Sequence, residues 1–242
     1  MRILVTAGNT QTPIDRVRCI TNIFTGRTGT QIALAAHGRG HAVCLVTSHP
    51  DVVRELARDD LPPGTWEVRP YRTFDDLHDR MAEALPGGEF DALVHAAAVS
   101  DFRVAGIYAP ESGTRFLVEE QAWAADMPPP RLTDVRAGKV KSQHGELWLR
   151  LTPTPKLADR VRQEWGFRGL FVKFKLEAGL AEAELLAVAE RARRQSAADW
   201  MVANTFEGRH TVAYIGSGEG TYQRVTRAEL PGALIDRLEQ PR

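Results

Sequence analysis

The sequence predicts an α/β fold, a Rossmann-like doubly wound and mainly parallel sheet with a C-terminal hairpin and an irregular insertion or lid. Three observations carry this prediction. Short apolar runs alternate with helical patterns from Ile3 to His95, which implies parallel strands joined by right-handed crossovers. Two strand-like runs flank Gly216-Ser217-Gly218-Glu219-Gly220, a hairpin signal. Between the two halves, residues 103 to 135 hold Pro110, Gly113 and Pro128-Pro129-Pro130 with no sustained helical period. At 242 residues, one domain spanning 1–242 is expected, with 103–145 as an insertion or active-site flap.

The elements follow in order. Ile3-Leu4-Val5 is a buried-strand run, and the loop Ala7-Gly8-Asn9-Thr10 follows it. Thr28 to Arg39 places Ile32, Ala33 and Ala36 at helical spacing and ends at Gly38 and Gly40. Val43–Val46 is the second strand, Val52 to Arg58 a short helix, and Trp66–Val68 a third strand. Phe74 to Leu85 is helical and leads through Pro86-Gly87-Gly88 into the strand Ala92–His95. After the insertion, Leu147–Leu151 alternates like a half-exposed strand, Pro155 to Trp165 reads as a helix, and Leu170–Val172 is another buried strand. Leu180 to Arg194 carries Leu185, Leu186, Val188, Ala189 and Ala192 on one stripe. Asp199–Asn204 is the last parallel strand, before the hairpin strands Thr211–Ile215 and Tyr222–Val225 and a closing helix from Arg227 to Leu238.

Composition excludes several functions. Lys plus Arg and Asp plus Glu number 31 each, so nothing favours a bulk hold on nucleic acid or an anionic membrane. With 43% hydrophobic and 26% charged residues, the chain is neither disordered nor fibrous. Cys19 and Cys44 make no disulfide framework and read as small core residues. The chain enters its first strand at once and has no apolar run of membrane-spanning length, which predicts a cytoplasmic protein. Its seven histidines show no ligand spacing, so no protein-held metal is expected.

The loop after the first strand is where an open α/β sheet binds ligands, because strand ends and a helix N-terminus converge there. Thr25-Gly26-Arg27-Thr28-Gly29 offers backbone N–H groups to a phosphate, or is simply a turn. A nicotinamide cofactor would require Gly-x-Gly-x-x-Gly and an acid after the second strand. The first is absent, and Val46-Thr47-Ser48-His49 stands at the second. In Ala96-Ala97-Ala98-Val99-Ser100-Asp101, small residues admit a ligand to the backbone, and Asp101 either meets a ribose or magnesium or caps a helix. Lys139 and Lys141 share one face of an extended segment, suited to a polyphosphate or an oxyanion, or to solvent. Phe174-Lys175 either stacks a base and contacts phosphate or is a core Phe beside a snorkelling Lys.

Taken together and in order, these motifs resemble the phosphopantothenoylcysteine synthetase family of coenzyme A biosynthesis, in its free-standing form. The resemblance runs through Ile3–Thr10, Pro13-Ile14-Asp15, Val17–Asn22, Thr25-Gly26-x-x-Gly29, Ala96–Phe102, Gly138–Lys141, Thr152–Lys156, Phe174–Glu177 and Ala198–Asn204. It implies a Rossmann-like homodimer and a ligase joining phosphopantothenate to cysteine, with magnesium and CTP or ATP as co-substrate and no flavin. An acyl-nucleotidylate forms with release of pyrophosphate, and the cysteine amine then displaces the nucleoside monophosphate. The resemblance makes Asn22 and Lys139 catalytic and gives Gly8, Thr10, Ala97, Asp101, Phe174 and Lys175 to the nucleotide. It gives Arg18, Thr25, Gly26 and Lys141 to the substrate. Asn9 stands where the family has a second loop Gly, Phe24 where it has a small Ser, and Gln195-Ser196 where a Lys-Asn pair is common. The last departure implies a lost phosphate contact. From another class, these departures also fit a catalytically altered nucleotide-binding protein acting as a binding or regulatory module.

Overall fold

The computed structural model describes residues 1–57, 61–218 and 220–240. The expected helix end at Arg58 and the turn residue Glu219 lie outside the described residues. In chain order the first elements are β1 (Arg2–Ala7), β2 (Gln11–Pro13), β3 (Cys19–Thr21), α1 (Arg27–Gly38), β4 (Ala42–Thr47), α2 (Asp51–Leu56) and β5 (Trp66–Pro70). Then come α3 (Phe74–Ala84), β6 (Ala92–His95), β7 (Phe102–Pro110), β8 (Thr114–Leu117), β9 (Ala122–Ala125), β10 (Leu132–Asp134) and β11 (Trp148–Pro153). The chain continues through α4 (Leu157–Gln163), β12 (Leu170–Glu177), α5 (Glu182–Gln195), β13 (Trp200–Thr205), β14 (Val212–Gly216), β15 (Tyr222–Thr226) and α6 (Leu230–Glu239).

These elements divide into two compact units. The first comprises residues 1–10, 22–99 and 156–242, the second residues 11–21 and 100–155. The second takes in the expected insertion 103–145 and reaches beyond it. It does so because the 11–21 segment joins it: the Thr12 hydroxyl donates to the Phe102 carbonyl at 3.1 Å, and Arg16 N–H to the Gly138 carbonyl at 3.1 Å.

The first unit is a doubly wound sheet ordered β15-β14-β13-β12-β6-β1-β4-β5. From β13 to β5 the neighbours run parallel, and β14 and β15 form the expected antiparallel hairpin at one edge. Strands buried on both faces need apolar residues in continuous runs, which explains Ile3-Leu4-Val5 and Ala92-Leu93-Val94. Alternate residues supply opposite faces. Ile3, Val5 and Val94 pack with Ile32 of α1 and Leu234 of α6, while Leu4, Leu93 and Phe171 pack with Leu77 of α3 and Val161 of α4. Leu185 and Ala189 of α5 complete that second layer over Met201 and Ala203.

The second unit replaces the expected irregular stretch with short antiparallel strands. Its largest sheet is ordered β10-β7-β11, and β2-β3 and β8-β9 are separate pairs. Phe116, Trp123 and Trp148 form an aromatic trio with ring centroids 4.7–5.3 Å apart, which supplies the apolar contact that such small sheets otherwise lack. Of the two cysteines, Cys44 is buried as expected, but Cys19 is exposed because β3 turns all three of its side chains outward. Among the described residues no helix is long and apolar enough to cross a membrane.

Candidate active site

Strand β1 is the switch point of the sheet, since the chain leaves it for β4 and β5 on one side and returns to β6 on the other. A crevice opens beyond the carboxyl ends of strands that diverge in this way. There the Gly8–Thr10 loop lies alongside the chain leaving β6. Ala98 N–H donates to the Gly8 carbonyl at 2.8 Å and Thr10 N–H to the Ala98 carbonyl at 3.2 Å. The side chains along this backbone, Ala96, Ala97 and Ala98, are single methyl groups.

The start of α1 closes onto the same loop. Gly26, with φ of 80°, sits at the N-cap, and a Cβ there would lie 2.3 Å from the Gly8 nitrogen. A Cβ on Gly29 would lie 2.7 Å from that of Ala7. The Thr25-Gly26-x-x-Gly29 spacing thus lets the helix N-terminus, where N–H groups lack helical partners, rest directly against the β1 end. No acid occupies the first turn of α1. Arg227, half-buried and with its pKa lowered by burial, donates to the Thr28 hydroxyl of that turn. No sequence pattern points to this contact, since 199 residues separate the two partners.

Asn22 enters this crevice from the segment before α1, and its side-chain amide donates to the Ala98 carbonyl at 3.0 Å. Of the residues singled out in the sequence, Gly8, Thr10, Asn22, Thr25, Gly26 and Ala97 all belong to the strand-end loops and helix start of the first unit. Beneath Ala97, the Thr6 hydroxyl accepts from Ala97 N–H at 3.3 Å and lies 2.8 Å from His95 Nδ1. A hydroxyl has one proton to give, so this arrangement suits a neutral His95 that accepts at Nδ1. Burial, reinforced by the Lys173 charge, holds the His95 pKa down at about 4.

Phe174 and Lys175 stand on opposite sides of the sheet, as adjacent residues of a strand do: Phe174 packs with the α1 and α6 layer, while Lys175 forms a 2.9 Å ion pair with Glu177. Gln195 and Ser196 also have partners of their own. Both donate to Asp159 at 2.6 Å, and Lys173 Nζ donates to the Ser196 hydroxyl at 2.5 Å and to the Ala192 carbonyl at 3.0 Å.

The second unit holds the remaining predicted residues. Asp101 leads into β7 rather than a helix, which removes its reading as a helix cap. The Asp101 carbonyl accepts from Thr154 N–H at 2.9 Å, and the Thr154 hydroxyl donates to the Ser100 carbonyl at 2.6 Å, which gives the Thr152–Lys156 motif a structural task. Lys139 and Lys141 are exposed on either side of buried Val140.

Arg18 and Asp15 fix that segment. Asp15 Oδ2 accepts from Val140 N–H at 3.1 Å and from Arg18 Nη2 at 2.6 Å, and the same Arg18 nitrogen donates to the Val140 carbonyl at 2.9 Å. Asp15 Oδ1 takes the N–H groups of Val17 and Arg18 at 2.9 and 2.8 Å. The Arg18 guanidinium and these N–H groups hold the Asp15 carboxyl far below the usual carboxylate range. Arg18, expected to bind substrate, is therefore committed at least in part to this clamp. Asp15 was visible only as part of a motif, because its partner Val140 lies 125 residues away.

Known proteins are similar to this chain in sequence and fold. Residues 1–110 match the family described as the DNA/pantothenate metabolism flavoprotein C-terminal domain. The chain is 32% identical over 99% of its length to the coenzyme A biosynthesis bifunctional protein CoaBC of Thermococcus kodakarensis, covering 51% of that protein. To CoaBC of Mycobacterium tuberculosis it is 30% identical over 86% of the chain and 43% of the relative. The chain thus spans about half the length of the curated relatives it matches. Among solved structures, the DNA/pantothenate metabolism flavoprotein of Streptococcus pneumoniae superposes with a TM-score of 0.77 at 25% identity, covering 99% of this chain and 98% of that one. A CoaBC C-terminal domain superposes at 0.65 with 19% identity, covering 98% and 93%, a likeness of fold. By these matches, residues 1–110 carry the sequence pattern of the DNA/pantothenate metabolism flavoprotein C-terminal domain family, and the chain is similar over nearly its whole length to part of CoaBC.

Proposed function

We propose that the chain is a phosphopantothenate–cysteine ligase. The observation that carries this reading is the Asn22 amide fixed on Ala98 at the β1 and β6 switch point, beside a glycine-lined helix start, in a chain similar throughout its length to part of CoaBC. A carboxylate is a poor electrophile until one of its oxygens becomes a leaving group. In the proposed reaction a phosphopantothenate carboxylate oxygen attacks the α-phosphorus of CTP or ATP, and pyrophosphate leaves. The cysteine amine then attacks the acyl carbon, loses a proton, and expels the nucleoside monophosphate with the original carboxylate oxygen.

In this reading Asn22 holds the activated acyl group, and Gly8, Thr10 and Ala97 line the nucleotide. Asp101, Phe174 and Lys175 are the further nucleotide contacts. Thr25 and Gly26, at the helix start, and Arg18 and Lys141 contact the anionic substrate. Lys139 meets the negative charge that develops as the amide forms. Among the described residues no group of three His, Cys, Asp or Glu converges as a cage. Magnesium suits this site as an ion carried on the triphosphate oxygens, which is its usual manner of binding nucleotides, and there it neutralises phosphate charge.

A homodimer is the proposed assembly. Large apolar side chains are exposed in the second unit, at Phe102, Val118, Met127, Leu132, Leu147 and Leu151, and a second copy would have apolar surface there to cover. Light scattering should return twice the chain mass.

The deciding assay supplies phosphopantothenate, cysteine and magnesium with CTP in one arm and ATP in the other. Pyrophosphate should appear together with phosphopantothenoylcysteine in at least one arm. Silence in both arms, with the protein folded, rejects the reading.

A further inference from the structure

Asn9 is 5% exposed and makes an unusual set of bonds for a loop residue. Its N–H donates to Ser48 Oγ at 2.9 Å, its Oδ1 lies 3.3 Å from the same hydroxyl, and its Nδ2 donates to the main-chain carbonyl of Asn22 at 2.5 Å. A backbone bridge ties Asn9 to Ala98, and it is the Ala98 carbonyl that receives the Asn22 amide. Asn22 is therefore gripped twice, by its main chain through Asn9 and by its side chain through Ala98.

The anchor of this grip is Ser48, at the end of β4. Its hydroxyl stands 2.9 Å from His49 Nδ1, and a Cβ on Gly8 would meet it at 2.2 Å, so the chain at residue 8 must be glycine for the hydroxyl to reach Asn9. Asn22 lies in a segment without regular secondary structure, between β3 and α1, where neighbouring backbone cannot fix its orientation. Side-chain bonds from Asn9 supply what a ladder would supply elsewhere.

We infer that Asn9 is a positioning residue, anchored by Ser48, that acts on the ligation through Asn22. It need not touch substrate. This rests on the proposed role of Asn22, and the test separates the two. Asn9→Asp is nearly isosteric and keeps an acceptor toward Ser48, but it replaces the donor to the Asn22 carbonyl with an oxygen. A group that works only through a second group loses its effect when the second is removed.

The experiment is a mutant cycle on pyrophosphate release, with folding checked by circular dichroism. Asn9→Asp should lower kcat about tenfold with KM for the nucleotide within about twofold, and the same change in an Asn22→Ala background should alter the rate less than about twofold. Ser48→Ala, which removes only the anchor hydroxyl, goes through the same cycle with a drop of about threefold in the wild-type background and none in the Asn22→Ala background. This second cycle decides the matter if Asn9→Asp does not fold. Equal drops in both backgrounds, or rates at wild-type level for the Asn9 and Ser48 variants, overturn the inference while leaving the ligase reading standing. A silent wild type, or an Asn22→Ala protein as fast as wild type, overturns the site reading and this inference with it.

Discussion

In the first unit, the strand beneath the Gly8 loop has Ile3, Leu4, Val5 and Ala7 wholly buried, sandwiched between helices on both faces. In the second, the segment carrying Lys139 and Lys141 is held by one carboxylate, Asp15, that gathers N–H groups and a guanidinium. Among the described residues, the large buried apolar clusters all belong to the first unit. The second relies on an aromatic trio and on polar clamps. Burial places a loop by shaping everything under it, so damage there costs stability first. A polar clamp places a few atoms, so damage there should cost activity first.

Substitutions can break this contrast, beginning with the largest effect. Phe171→Ala, near the start of β12, should lower unfolding free energy by about 3–5 kcal/mol in urea titration, the usual cost of emptying an aromatic site in a packed core. A loss under 1 kcal/mol would show that the sheet core is looser than its burial indicates.

The next effect is a pH dependence. His95 is held neutral with its pKa lowered to about 4 from the model-peptide 6.5. Between these values the unfolded chain binds more protons than the folded one, so stability falls as pH drops through 6.5 and levels off below 4. From pH 7 to pH 5 the contribution is about 2 kcal/mol, and His95→Gln should flatten the corresponding part of the urea-midpoint profile. An unchanged slope in that variant would assign the pH dependence to other groups.

For the second unit, Asp15→Asn should lower kcat/KM about tenfold and leave the urea midpoint nearly unmoved, because it loosens Val140 and the lysines beside it without touching the buried sheet. A large loss of stability there would erase the distinction between the units. The smallest effect belongs to Arg54→Ala. It removes an ion pair with Asp51 at the surface of α2, where both side chains are more than two-thirds exposed, and should change stability by less than about 0.5 kcal/mol.

The same contrast explains what could be read from the sequence. Apolar runs and helical stripes report burial, so every strand and helix of the first unit was anticipated within a few residues, except that β12 extends through Phe174 and Lys175 to Glu177. The crevice loops were legible for the same reason, since Gly8, Gly26 and Gly29 mark places where backbone must touch backbone. The second unit was not legible as a unit, because its strands are as short as three residues and its sequence comes from two stretches far apart in the chain. Side-chain bonds leave even less trace. Asn9, Asp15 and Thr28 each have a partner 13 to 199 residues away, and nothing in periodicity announces it. Gln195 and Ser196 are a further case: the sequence marks them only as a departure from a Lys-Asn pair, and their bonds to Asp159, 36 and 37 residues away, appear only in the fold.

The central claim is that this chain activates a carboxylate by nucleotidyl transfer, and oxygen isotope transfer tests it most directly. Phosphopantothenate labelled with heavy oxygen in its carboxylate is turned over with cysteine, magnesium and the nucleotide that supports the reaction, and the products are weighed by mass spectrometry. The account predicts one labelled oxygen in the nucleoside monophosphate for each amide formed. Label in inorganic phosphate, or a monophosphate without label, would contradict it.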